Sequence, residues 1–212
     1  MKKILMAVAI AGAFVAAPAS AQWYIGGGIG AGNAKMGNFS ATSGAVTVTS
    51  QGSSSNNTSG KFFGGYQFTP NWGVEGQYVY LGRSNFNVTS NVAGVSGSGS
   101  YKADSFDLAG TGTLPLGSNF YLMGKLGLAF NHVNGGNFCA TGPGGSACAN
   151  LGGGNRTDLL AGVGAGYNFN ANWGLRLEYE NFGKMAKSSN GGNGSGGDIK
   201  GENWALSVKY SF

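Results

Sequence analysis

Charge is scarce in this 212-residue chain: only 10% of the residues are Asp, Glu, Lys or Arg, and there is one histidine. The formal net charge of +5 is too slight and too scattered to form the basic stripe that a nucleic-acid partner requires. Cysteine is limited to Cys139 and Cys148. Two thiols and His132 do not complete a tetrahedral metal shell, so neither a metal nor another cofactor is expected. Long hydrophobic runs are missing after Gln22, and no later stretch is apolar enough to cross a membrane as a helix. Helix is further disfavoured by 42 glycines. The glycines do not recur every third residue, which excludes collagen, and 12% aromatics argue against disorder.

The N-terminus is an address. Lys2 and Lys3 precede an apolar run from Ile4 to Ala17, and Ala19-Ser20-Ala21 is a small-residue cleavage site. Residues 1–21 are therefore predicted to be a cleaved signal peptide for the Sec route, leaving 22–212 as one domain. The run is too short, and too interrupted by Gly12 and Pro18, for a retained anchor.

What the chain does contain is alternation. In the last stretch Trp204, Leu206, Val208, Tyr210 and Phe212 occupy every second position, with Asn203, Ala205, Ser207, Lys209 and Ser211 between them. This is the period of a two-faced strand. Aromatics on the apolar face and a lysine on the other fit a transmembrane barrel strand, with lipid outside and a polar lumen within. The same pattern predicts strands over 23–31, 61–68, 72–83, 105–114, 122–131, 158–169 and 173–180. Pro115 should end the fourth, because it cannot donate to a ladder. Within the first, Gly26-x-Gly28-x-x-Ala31 imitates a dinucleotide fingerprint, but no helix follows to meet a phosphate.

Three short turns, at 69–71, 117–119 and 170–172, alternate with four long polar stretches at 35–60, 84–100, 133–156 and 185–201, expected to be mobile surface loops. The fold class predicted is all-β: an eight-stranded antiparallel up-and-down transmembrane β-barrel. Its short turns face the periplasm and its long loops face outside. A soluble barrel would need its apolar face turned inward.

Gly65-Tyr-Gln-Phe-Thr-Pro-Asn-Trp-Gly-Val74 and Gly166-Tyr-Asn-Phe-Asn-Ala-Asn-Trp-Gly-Leu175 repeat one hairpin. Together with the strand Trp72–Arg83, the strand Leu175-Arg-Leu-Glu-Tyr179 and the terminal aromatic, they make the chain resemble the eight-stranded domain of OmpA-like and opacity-type outer-membrane proteins. The resemblance implies a Gram-negative outer membrane and contact with its lipid and lipopolysaccharide. It also implies biogenesis through periplasmic chaperones and a barrel-assembly machinery that reads Trp204, Leu206, Val208, Tyr210 and Phe212. The periplasmic peptidoglycan-binding domain of many OmpA proteins has no counterpart before the end at Phe212.

Glu75, Asp107, Lys125, Arg176, Glu178 and Lys209 fall on the inward face of their strands, as does Glu180. In so narrow a lumen, ion pairing should offset their desolvation and leave a rigid, plugged interior. The resemblance likewise implies a lumenal salt-bridge network at Glu75, Arg176 and Glu178. Partner exchange among them is the alternative, a narrow pore for ions or small solutes. Cys139 and Cys148 are predicted to form a disulfide, worth about 2.5–3 kcal/mol for so short a loop. A rim lipid-modifying enzyme would need His132 as its base, yet no spacing selects Ser84, Ser100 or Ser105 as a nucleophile. No catalytic site is expected. The role expected is structural and interactive: envelope integrity, with adhesion or recognition of a host or cell-surface ligand by the loops.

Overall fold

A computed structural model describes residues 22–37, 39–43, 46–50, 56–142, 145–150, 153–186 and 198–212. The expected leader, 1–21, lies outside them. Eight strands form the wall: β1 (Gln22–Met36), β4 (Asn56–Gln67), β5 (Trp72–Ser90), β6 (Ser96–Pro115), β7 (Phe120–Gly142), β9 (Gly154–Asn168), β10 (Trp173–Ala186) and β11 (Ile199–Ser211). Each is antiparallel to its neighbour, and β1 pairs with both β4 and β11, which closes the ring. Closure leaves the wall without a free sheet edge, the condition for a sheet to sit in hydrocarbon.

The wall strands run 12–23 residues, whereas about 9–11 suffice to span a membrane. The excess corrects three of the expected loops. β5 passes the predicted end at Arg83, and its ladder with β6 continues to Thr89↔Ser96, so most of 84–100 is strand. Outer β7 carries β8 (Gly145–Asn150) at its edge. The first long connection holds a hairpin, β2 (Phe39–Ser43) with β3 (Val46–Ser50), joined to the tip of β5 at Val48↔Ser90. Polar composition hid these ribbons, because beyond the membrane the apolar alternation shrinks to short remnants such as Phe86 and Val88. Residues 187–197 of the fourth loop lie outside the described residues.

Orientation follows the alternation. Leu126, Leu177 and Val208 point outward, 62%, 50% and 44% exposed, while Glu75 and Arg176 are each 2% exposed inside. That inverts a soluble barrel. At the short-turn end the two copies of the repeated hairpin fold alike. Thr69 Oγ1 accepts from the backbone of Asn71 and Trp72, and Asn170 Oδ1 accepts from Asn172 and Trp173. Aromatic pairs gather there, including Trp23–Tyr66, Phe120–Tyr167 and Trp173–Tyr210, with ring centroids 4.7–4.9 Å apart. They form the periplasmic girdle of such a barrel.

Inward-facing glycines have a packing role. Tyr24 lies across Gly65, Phe63 across Gly26 and Tyr121 across Gly166, each directly opposite in register. A Cβ on any of the three would stand 2.1–2.4 Å from the ring it faces. This accounts for Gly26 in the pseudo-fingerprint.

An outward arginine tests the orientation. Leu177→Arg should lower unfolding free energy in lipid vesicles by about 2–4 kcal/mol, the range for a cation near the bilayer midplane. An unchanged urea midpoint would contradict a lipid-facing Leu177.

Candidate functional site in the lumen

The lumen is filled in three layers. In the middle one, Lys61 on β4, Lys125 on β7 and Arg176 on β10 meet Glu75 on β5 and Glu178 and Glu180 on β10. Lys61 Nζ donates to Glu178 and Glu180 at 2.8 Å each. Lys125 Nζ reaches Glu75, Glu178 and Glu180 at 2.5, 2.6 and 3.0 Å. Arg176 spans Glu75 at 2.8 Å and Glu178 at 2.7 Å. Three cations and three carboxylates thus neutralise one another, every one of them buried. Phe63 is the hub: the Arg176 guanidinium lies 4.3 Å from its ring centroid, with Lys61 and Lys125 at 5.4 and 5.9 Å. The negative face of the ring attracts cations that would otherwise repel one another.

Of the six residues predicted for this network, the structure joins four: Glu75, Lys125, Arg176 and Glu178. Asp107 is inside but bonds to neutral partners, Gln77 Nε2 at 2.8 Å and the Ser105 hydroxyl. Its ladder neighbours are Gln77 and Ala129, so no cation is supplied beside it. Lys209 is likewise inside without an acid, since it stands opposite Gly26 and Gly174. It lies instead between the rings of Tyr121 and Tyr24, at 5.4 and 5.8 Å. Two members were absent from the predicted set. Glu180 continues the Arg176-x-Glu178 face. Lys61 belongs to the inward set Lys61-x-Phe63-x-Gly65, a phase blurred by adjacent Phe62 and Phe63.

The lower layer is Tyr24, Tyr121, Thr111 and Lys209, and Tyr24 donates its hydroxyl up to Glu75 at 3.0 Å. The upper layer departs from the polar lumen expected. Val79, Leu81, Ala103, Leu160, Phe182 and Met185 make an apolar cluster, with Phe86 and Tyr101 above. β10 supplies it by bending inward. Its ladder with β9 ends at Asn181↔Ala161, Gly183 has φ 63°, and the Lys184 amide donates to Asp158 at 3.0 Å in place of a strand partner.

Elsewhere, Cys139 is disulfide-bonded and stands opposite Cys148 in the ladder of β7 and β8. The ring of His132 contacts Asn155 Oδ1, whereas Ser84 and Ser105 are buried toward the lumen. Among the described residues, no serine hydroxyl is hydrogen-bonded to His132 as a nucleophile would be. Among the described residues, no three His, Cys, Asp or Glu side chains gather at metal-binding spacing. Trp204, Leu206, Val208 and Phe212 are exposed on the lipid face, and the Phe212 amide donates to Trp23 across the closing seam at 3.0 Å.

A ring of eight strands, greasy outside and ion-paired within, defines an integral outer-membrane β-barrel. The chain belongs to the OmpA-like transmembrane domain family, whose model matches residues 18–211. The fold is shared with the outer-membrane protein OprG of Pseudomonas aeruginosa, at 17% identity and TM-score 0.56, covering 91% of this chain and 96% of that one. Ail, the attachment invasion locus protein of Yersinia pestis, aligns at 18% identity and TM-score 0.49 over 91% and 99% of the two chains. Neisserial surface protein A aligns at 14% identity and TM-score 0.49 over 90% and 97%. A search of curated protein sequences gives no match.

The layers predict unequal costs. Lys125→Met strips the cation shared by three carboxylates and should destabilise the barrel by about 3–5 kcal/mol. Lys209→Met, which breaks no ion pair, should cost less than about 1 kcal/mol. Urea titration in vesicles measures both, and equal losses would refute this description of the network.

Proposed function

We propose that this protein is a sealed structural barrel of the Gram-negative outer membrane that presents rigid ribbons to the exterior, with no enzymatic activity. The observation that carries this reading is the double filling of the lumen. A solute entering from outside meets the apolar cluster around Phe182 and Met185, then the ion-paired layer around Phe63. Neither layer conducts without displacing packed apolar side chains or breaking ion pairs. An eight-stranded barrel is in any case only wide enough for its own side chains.

Function then lies in what the barrel anchors and displays. An outward apolar band holds it in lipid, and closed hydrogen bonding makes it stiff enough to brace the envelope. The extended ends of β5, β6 and β7 raise the connecting segments well above the membrane, and the Cys139 bridge ties the outermost ribbon. Such surfaces suit adhesion or recognition of a host or neighbouring-cell ligand. The crystal structure of Yersinia pestis Ail in complex with the heparin analogue sucrose octasulfate has the same type of barrel as its subject. Export by the Sec route, passage with periplasmic chaperones and insertion by the barrel-assembly machinery, reading Trp204 to Phe212, complete the proposal.

Planar-bilayer recording tests the seal: purified protein should give no steady channels. Steady conductance that disappears in Glu75→Ala or Arg176→Ala would favour a gated pore instead. Heat-modifiable migration on a gel, with recovery in the outer-membrane fraction, tests barrel and location together. Thiol titration checks the bridge. The denatured oxidised protein should take up no probe, and both cysteines should react after reduction.

A further inference from the structure

The end of the barrel that carries the three short turns holds a polar cavity of about 390 Å³. That is near the small end of the range for ligand pockets, about 300–1,000 Å³. Gln22 of β1, Gln67 of β4, Asn119 just before β7, Asn168 of β9 and Lys209 of β11 line it. All five fall on the inward parity of their strands, so the cavity is the mouth of the lumen below Tyr24 and Tyr121.

Lys209 is the one charged residue of this lining. Its ladder partners are Gly26 and Gly174, and among the described residues it forms no ion pair. The faces of Tyr121 and Tyr24, at 5.4 and 5.8 Å, attract the ammonium without neutralising it. The acids beyond those rings are already committed to Lys61, Lys125 and Arg176. An inward ammonium that the protein leaves without a counter-charge is a receptor for an incoming anion.

The amides around the mouth are oriented. Gln22 Nε2 donates to the Phe212 carbonyl, Gln67 Nε2 to that of Pro70 and Asn119 Nδ2 to that of Asn168, each at 2.8 Å. A backbone carbonyl can only accept, so these bonds decide which end of each amide is nitrogen. The three amide oxygens accept nothing among the described residues. Lys209 stands opposite Gly26, four residues deeper along β1 than Gln22. The cavity therefore has a cationic donor toward its inner end and acceptors toward its rim.

We propose that this cavity binds the C-terminal carboxylate of a short periplasmic peptide, with Lys209 on the carboxylate and the oxygens of Gln22, Gln67 and Asn119 accepting from the peptide's N–H groups. The proposal rests on the outer-membrane reading above, which puts the short-turn end in the periplasm. A bare anion such as acetate or phosphate would answer Lys209 and leave the amide oxygens to water. A peptide end answers both, because it is anionic at its tip and donates N–H groups behind it. The tyrosine rings and the ionic layer stop it there, so the site agrees with a sealed lumen.

The test titrates acetyl-glycyl-glycine into the isotope-labelled barrel in phosphatidylcholine nanodiscs, where both mouths are open, and follows the NMR signals of Lys209 and of the Gln22, Gln67 and Asn119 side chains. These signals should shift together and saturate. The same peptide amidated at its C-terminus should bind about tenfold more weakly, the scale of a lost charge-assisted contact, as should acetate and inorganic phosphate. Lys209→Met should weaken binding of the free peptide by a similar factor. Lys209→Arg should preserve it, as should Lys35→Gln at the opposite end of the barrel. Equal affinity for the amidated peptide, acetate or phosphate, unchanged affinity in Lys209→Met, or shifts confined to other residues would each overturn the site. The amidated peptide probes the charge in the unaltered protein, so the outcome does not depend on a variant folding. Binding in nanodiscs is independent of which membrane houses the barrel, whereas fractionation reports on that alone, so failure of the site is distinguishable from failure of the outer-membrane reading.

Discussion

Everything in this molecule depends on the seam between β1 and β11. In hydrocarbon an unpaired amide or carbonyl has no water to turn to, so a sheet survives there only by joining its edges. The seam runs from Tyr24↔Ser211 to Met36↔Ile199, which brings the two ends of the described chain side by side. Midway along the seam the inward face is small, Gly28 and Gly30 against Ser207 and Ala205, with Gly26 opposite Lys209, so the strands approach without filling the lumen locally. The space so left is taken by Phe63 from the neighbouring strand, whose ring lies over Gly26. The glycines that close the wall thereby make room for the residue around which the charges assemble.

That coupling explains why the network tolerates burial. Three cations out of water would be prohibitive if they faced one another across empty space. Here each carboxylate is shared: Glu178 meets Lys61, Lys125 and Arg176, and Glu75 meets Lys125 and Arg176. Charge is delocalised over a cluster instead of divided into pairs. Lys125 reaches all three acids, whereas Lys209, two tyrosine rings below, touches none. Position in the ladder decides the difference, because a lysine opposite two glycines has no side chain beside it to pair with.

The wall was legible in the sequence and the interior only partly. Alternation survives inspection wherever one face meets lipid, so 204–212 or 173–180 could be assigned strand by strand and face by face. Leaving the membrane weakens the contrast: Ser84–Ser90 keeps only Phe86 and Val88 in alternation, and Ser96–Ser100 continues the ladder with no apolar face to mark it. Within the lumen, alternation says which residues enter but not who meets whom. Glu75 and Arg176 are 101 positions apart and joined by the curvature of the ring. Asp107 was placed correctly and partnered wrongly for the same reason. The apolar upper layer left a weaker trace, since Phe182 and Met185 reach the interior through a bend at Gly183 that breaks the period.

The order of the layers matters as well as their contents. Ion pairs strengthen as water is excluded, and one side on which bulk water must be kept out is the end where the wall strands are extended. The apolar cluster stands there. The periplasmic side is guarded less completely, by Tyr24 and Tyr121 with Lys209 between them. A barrel built to conduct would place its charged constriction where solvent reaches it from both sides, so that partners could exchange through water. This one covers the network with apolar side chains on one side and holds it on the other through the hydroxyl of Tyr24 on Glu75. Such an arrangement is what the proposed sealed barrel requires. It leaves the outer surface, with its raised ribbons, as the place where the proposed recognition would act.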